Sequence, residues 1–131
     1  MPVAYARDDR RRLITVTVTE PYSVDDILSV IDRQAADDAW GYAMLHDMRE
    51  VTDASTLADL QQIADRVRAV GGGRERGPVG FAIRARPALF LAGLMYSKLT
   101  REFMTVEVLL TPEQVDAWLA RSTWRGPSRS T

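Results

Sequence analysis

His46 is the only histidine of the chain, and Asp47 follows it directly. A carboxylate beside an imidazole can orient it for general-base work. Neighbouring residues of a strand point to opposite faces, however, so these two side chains are expected to part, and no nucleophile motif accompanies them. The polar stretch continues through Asp47, Arg49, Glu50, Thr52, Asp53, Ser55 and Thr56. Capping of the next helix by Asp53 or Ser55, with a local Asp47–Arg49 pair, accounts for these residue types without catalysis. Gly71-Gly72-Gly73-Arg74-Glu75-Arg76-Gly77 has the composition of a phosphate loop. It follows a helix and opens a strand, the reverse of the order that places an anion at a helix N-terminus. It therefore reads as a flexible connector. Arg10-Arg11-Arg12 is offset by Asp8 and Asp9 and reads as a solvated hairpin tip.

The absence of cysteine excludes disulfides, thiol catalysis, iron–sulfur clusters and Cys-ligated zinc. A single histidine excludes multi-histidine metal centres. Asp25, Asp26, Asp37 and Asp38 fall on helix surfaces or ends and are not expected to converge. No metal, cofactor or catalytic set is anticipated.

The 131 residues, 46% hydrophobic and 27% charged, suit one soluble domain over 1–131, with a core at about 3–121 and a tail at 122–131. Arg125 to Thr131 reads as a frayed end. Net charge is −1, giving no global drive toward nucleic acid or an anionic membrane. The balance is uneven: net −5 over residues 1–70 and net +4 over residues 71–131. Met1 to Arg12 lacks the apolar core of a secretory signal, and the longest apolar run, Ala88 to Tyr96, is far below the ~20 residues of a membrane span. A cytoplasmic location is the expectation.

The elements that must position these residues follow from periodicity. Val3 to Ala6 and Leu13 to Thr19 form a hairpin; in the second strand Ile14, Val16 and Val18 face one way and Leu13, Thr15 and Thr17 the other. Ser23 opens a helix, with Asp26 completing a capping box and Val24, Ile27, Leu28, Ile31 and Ala35 as its apolar stripe. Tyr42 to His46 is a central strand. Ser55 to Val70 is a helix with Leu57, Leu60, Ile63, Ala64, Val67 and Val70 inward. Val79 to Ile83 is a strand, Pro87 starts a third helix, and Val106, Val108 and Leu110 mark a last strand. Thr111-Pro112 with Gln114 opens a final helix that buries Val115, Trp118 and Leu119. This alternation predicts an α/β fold with a four- to five-stranded, mostly parallel sheet, an N-terminal hairpin and helices mainly on one face.

The same order, with Leu45-His46-Asp47-Met48-Arg49, then Asp53-Ala54-Ser55-Thr56-Leu57, the helix through Leu94-Met95-Tyr96 and the closing Thr111 to Leu119, resembles the SpoIIAA-like superfamily, the STAS domain and its Sec14-like relatives. The resemblance spans about Leu13 to Leu119. It implies a non-catalytic, regulatory domain that works through protein contacts. In the anti-sigma-factor antagonists of this superfamily a kinase phosphorylates the first serine of an Asp-Ser-Ser-Gly motif. That motif falls here on Asp53, Ala54, Ser55 and Thr56. The acceptor position is Ala54, so no phosphorylation switch is carried over, and Ser55 is expected in the cap or first turn of its helix.

The helix from Pro87 is apolar all round. Leu89, Ala92, Gly93 and Tyr96 suffice to pack it on the sheet, with Ala92 and Gly93 permitting close approach. Phe90, Leu91, Leu94 and Met95 are then surplus and would form a homodimer, partner or ligand contact, rimmed by Lys98, Arg101 and Glu102. Two readings result. One is a homodimeric protein-binding module; the other is a carrier of a small apolar ligand, which a closed apolar cavity under this helix would favour.

Overall fold

A computed structural model describes residues 2–124, and the expected frayed end at 125–131 lies outside the described residues. Nine elements follow in chain order: β1 (Val3–Asp8), β2 (Leu13–Val18), α1 (Val24–Ala36), β3 (Ala43–Asp47), α2 (Leu57–Gly71), β4 (Val79–Ala82), α3 (Pro87–Thr100), β5 (Val106–Leu109) and α4 (Pro112–Ser122). The five strands lie side by side in sequence order. β1 runs antiparallel to β2, and the remaining pairs are parallel, with Val16 opposite His46 and His46 opposite Phe81. The expected α/β architecture is thus the one observed.

Alternation along the strands divides the core in two. Ile14, Val16, Val18, Met44 and Val79 face α1, α2 and α3 and form the larger cluster with Ile27, Ile31, Ile63 and Val67. Leu13, Ala43, Leu45, Ala82 and Leu109 face the other way, against Val115 and Trp118 of α4. One helix thereby covers the face that carries the smaller residues. The indole of Trp118 lies where a Cβ on Gly80 would come within 3.0 Å of it, so the glycine is what lets the ring approach the strand.

Local signals explain the helix ends. Ser23 accepts from the Asp26 amide at 3.3 Å, and the Asp26 carboxylate accepts from the Ser23 amide at 2.8 Å. α4 departs slightly from a full capping box. Thr111 accepts from the Gln114 amide, but Gln114 reaches back to the Leu110 amide at 2.7 Å, one residue before the cap. α2 starts two residues later than the spacing suggests, with Thr56 as its cap accepting from the Asp59 amide at 3.1 Å. Neither Asp53 nor Ser55 caps it. Starting the helix at Leu57 turns that side chain outward, 58% exposed, rather than into the stripe. Past α4, the Trp124 amide donates to the Arg11 carbonyl and the Arg12 guanidinium lies over the Trp124 ring, tying residues 123–124 to the hairpin turn.

Candidate functional site

The expected polar segment forms the rim at the carboxyl end of β3, where open α/β sheets carry their sites. Arg49 closes on Asp47 through two bonds of 2.9 Å, which holds the Asp47 carboxyl below its usual range. Glu20 accepts from the Thr52 amide and hydroxyl at 3.0 and 2.8 Å, and its own acidity is strengthened by those bonds. From the other side, Arg84 donates to the Arg49 carbonyl at 2.6 Å and Arg86 to the Thr52 carbonyl at 3.2 Å. The segment is therefore latched to both flanking links. Ser55 is half-buried with its hydroxyl 3.4 Å from that of Tyr22.

His46 points away from Asp47, into the layer beneath the helices. It is 3% exposed, and its Nδ1 has no hydrogen-bond partner among the described residues. Burial, reinforced by the positive Arg76, pushes its pKa down to about 3, so the ring is neutral at pH 7. Its ring lies 4.9 Å from that of Phe81, which meets Tyr96 edge-on at 5.6 Å. These three rings form a wall of an apolar cavity of about 80 Å³ between the sheet and α1, α2 and α3. The other walls are Ile27 and Ile31 of α1, Leu60 and Ile63 of α2, and Leu89, Ala92 and Gly93 of α3. Phe81, on an interior strand, stays half-buried because it borders this space.

The cavity reaches the surface at Asp53 and Ala54, both exposed. There it meets an outer groove of about 600 Å³ that shares Tyr22, Ile27, Asp53, Ala54, Ser55 and Ile63 with it. Gly93 allows this wall to form. A Cβ there would stand 2.6 Å from Val108 Cγ2, so the glycine sets how closely α3 approaches β5.

Arg76 also lines the cavity, and it corrects the reading of residues 71–77 as a flexible connector. The segment is pinned by Arg76 N–H to the Phe103 carbonyl at 3.2 Å and Gly77 N–H to the Trp40 carbonyl at 2.9 Å. The guanidinium is buried, 4% exposed. Its Nε donates to Gln34 Oε1 at 2.9 Å, while its terminal nitrogens meet the thioethers Met44 Sδ at 3.3 Å and Met104 Sδ at 4.0 Å, with the Tyr96 hydroxyl as a further neutral partner. Trp40 adds a cation–π contact at 5.3 Å. None of the ion pairs among the described residues includes Arg76. Burial lowers its pKa, with the neighbouring Tyr96 opposing; burial likewise raises that of Tyr96. Arginine stays charged in proteins, so the molecule holds a buried cation whose partners among the described residues are all neutral.

Of the residues singled out from the sequence, Asp53 and Ser55 reach the cavity mouth, Asp47 and Arg49 pair with each other, and Thr56 caps α2. Phe90, Leu91, Leu94 and Met95 lie on the outer side of α3, from 37% to 62% exposed. Sequence reasoning missed Arg76 and Gln34. Gln34 was the available signal: it sits three residues after Ile31, a polar group on the apolar stripe of α1, and it is completely buried. Among the described residues no group of three or more His, Cys, Asp or Glu converges as a metal site, and no helix is long and apolar enough to cross a membrane. Compared with family models, curated proteins and solved structures, the chain finds no match.

Proposed function

We propose that this protein is a non-catalytic binding domain, of the SpoIIAA-like kind its sequence resembles, that takes a small apolar ligand into the cavity between its sheet and α1–α3. The observation that carries the reading is the cavity itself. Interiors of this size are ordinarily filled to crystal-like density, and voids larger than a water are few. Here space remains beside three aromatic rings and opens into a groove at the functional end of the sheet. The non-catalytic part rests on His46 having neither a carboxylate to orient it nor a nucleophile to serve. Replacing Ala92 by Phe should fill the space from α3. 1-Butanol, bound saturably by the wild type in titration calorimetry, should then lose at least tenfold in affinity, with the fold intact by circular dichroism. Equal 1-butanol binding by both proteins would overturn the reading.

A second reading rests on a separate observation, the exposed outer face of α3. Phe90, Leu91, Leu94 and Met95 make a contiguous apolar strip of the kind monomers seldom leave open. A second copy of the chain is the occupant we favour, because a two-fold axis sets the strip against itself and sets the basic Lys98 and Arg101 against Glu102. Mass in solution decides it: wild type should be a dimer, and Leu94→Asp with Phe90→Ser a folded monomer. A monomeric wild type rejects the dimer.

A further inference from the structure

We propose that the deep end of the cavity recognises a carboxylate, with Arg76 and Tyr96 holding the head of a short apolar acid. The inference rests on the cavity reading above and adds the ligand's chemical class. Two polar side chains more than nine-tenths buried line this space without full partners. Among the described residues His46 has an orphan Nδ1, and Arg76 has no carboxylate partner.

The guanidinium, engaged only by neutral partners, selects the class. The Nε of Arg76 is committed to Gln34, which leaves the two terminal nitrogens, the edge that meets a carboxylate through two parallel bonds. Those nitrogens now face thioether sulfurs and the Tyr96 hydroxyl, neutral acceptors that an anionic oxygen outcompetes. The Tyr96 hydroxyl lies beside the guanidinium and supplies a further donor. Trp40 and Gln34 hold the fork in place before any ligand arrives. No second cation stands with it, since His46 is neutral, so a monoanion balances the site and a dianion does not. The walls then dictate the rest of the ligand. His46, Phe81, Ile31 and Ile63 surround a body of a few heavy atoms, because a volume of about 80 Å³ is roughly half of that known to admit benzene. A longer chain continues into the outer groove past Asp53 and Ser55.

The test is titration calorimetry on the whole protein with butanoate and hexanoate against 1-butanol, 1-hexanol and butyl phosphate. The acids should bind at least tenfold more tightly than alcohols of equal length, and more tightly than butyl phosphate. Arg76→Met should abolish that preference, bringing the acids down to the affinity of the alcohols. Tyr96→Phe, which keeps the ring and removes only the hydroxyl, should weaken the acids about threefold to tenfold and narrow their lead over the alcohols. It keeps the proposal open to refutation should Arg76→Met fail to fold. Equal binding of acid and alcohol would make Arg76 a structural pillar and leave the apolar cavity standing. Tighter binding of butyl phosphate would replace the carboxylate by another anion and defeat the proposal. Binding of none of them would defeat both the carboxylate and the cavity.

Discussion

On one face of the sheet a single helix, α4, closes the core: Trp118 lies on Gly80, and Leu13, Leu45, Ala82 and Leu109 complete a small apolar cluster. On the other face three helices pack, yet they leave a cavity and, among the described residues, a histidine Nδ1 without a hydrogen-bond partner and a buried guanidinium without a carboxylate. The same strands serve both. The α4 face is filled by its own side chains, whereas the α1–α3 face leaves space and a buried charge where, under the function proposed above, a ligand would restore packing and charge balance. Buried polar groups with incomplete partners cost stability, and they persist where function needs them.

If the α4 face is purely structural, its disruption should be the most damaging change and should leave binding untouched. Trp118→Ala is expected to lose about 3–5 kcal/mol of unfolding free energy, the usual cost of emptying a large buried aromatic site. Urea denaturation gives the loss, and 1-butanol binding under native conditions should stay unchanged. A weakened 1-butanol affinity would merge the two faces.

The buried polar cluster sharpens the contrast from the other side. Gln34→Leu strands the guanidinium without its oxygen acceptor and should cost about 3 kcal/mol. Adding Arg76→Met removes the stranded charge, so the double variant should regain part of that loss. A double-mutant cycle with no coupling would show that the two side chains do not act as a unit.

His46 gives the α1–α3 face a pH dependence of its own. Its folded pKa of about 3 lies below the ordinary value of 6.5 because burial, then Arg76, disfavours the charged ring. Between those values the unfolded chain takes up a proton that the folded one refuses, so stability falls as pH drops below 6.5 and is fully retained above it. At pH 5 the loss from this group should be about 2 kcal/mol. Comparing urea midpoints at pH 7 and pH 5, His46→Phe should show a smaller drop than wild type. An equal drop in both proteins would remove the histidine from the explanation.

The smallest effect lies at the rim. Thr56→Ala should cost about 1 kcal/mol as the loss of a helix cap, while Ser55→Ala should stay within about 0.5 kcal/mol. The opposite ranking would return the cap to Ser55.

Much of this architecture can be read from the chain because the signals are local. The alternation of Leu13 to Val18, the Ser23–Asp26 box, Pro87 and Thr111-Pro112 each act through a few neighbouring residues. The surplus apolar face of α3 was legible for the same reason. The start of α2 was not, since Asp53, Ser55 and Thr56 are all competent caps and tertiary bonds from Glu20 and Tyr22 decide among them. Arg76 was hidden more deeply. Its burial depends on Gln34, 42 residues away in sequence, and on Met44, Trp40 and Met104, none of which marks a glycine-flanked arginine as internal. Spacing marks Leu89, Ala92 and Tyr96 as inward-facing, but spacing alone does not tell a packed wall from the wall of a cavity.

The direct test of the central claim is to follow backbone amide and methyl chemical shifts while 1-hexanol is titrated into the protein. The account predicts saturable shifts around Ile63, Phe81 and Tyr96, with none at Val115 or Trp118. Shifts confined to Leu91, Leu94 and Met95 on the outer face of α3, or no saturable shift at all, would contradict it.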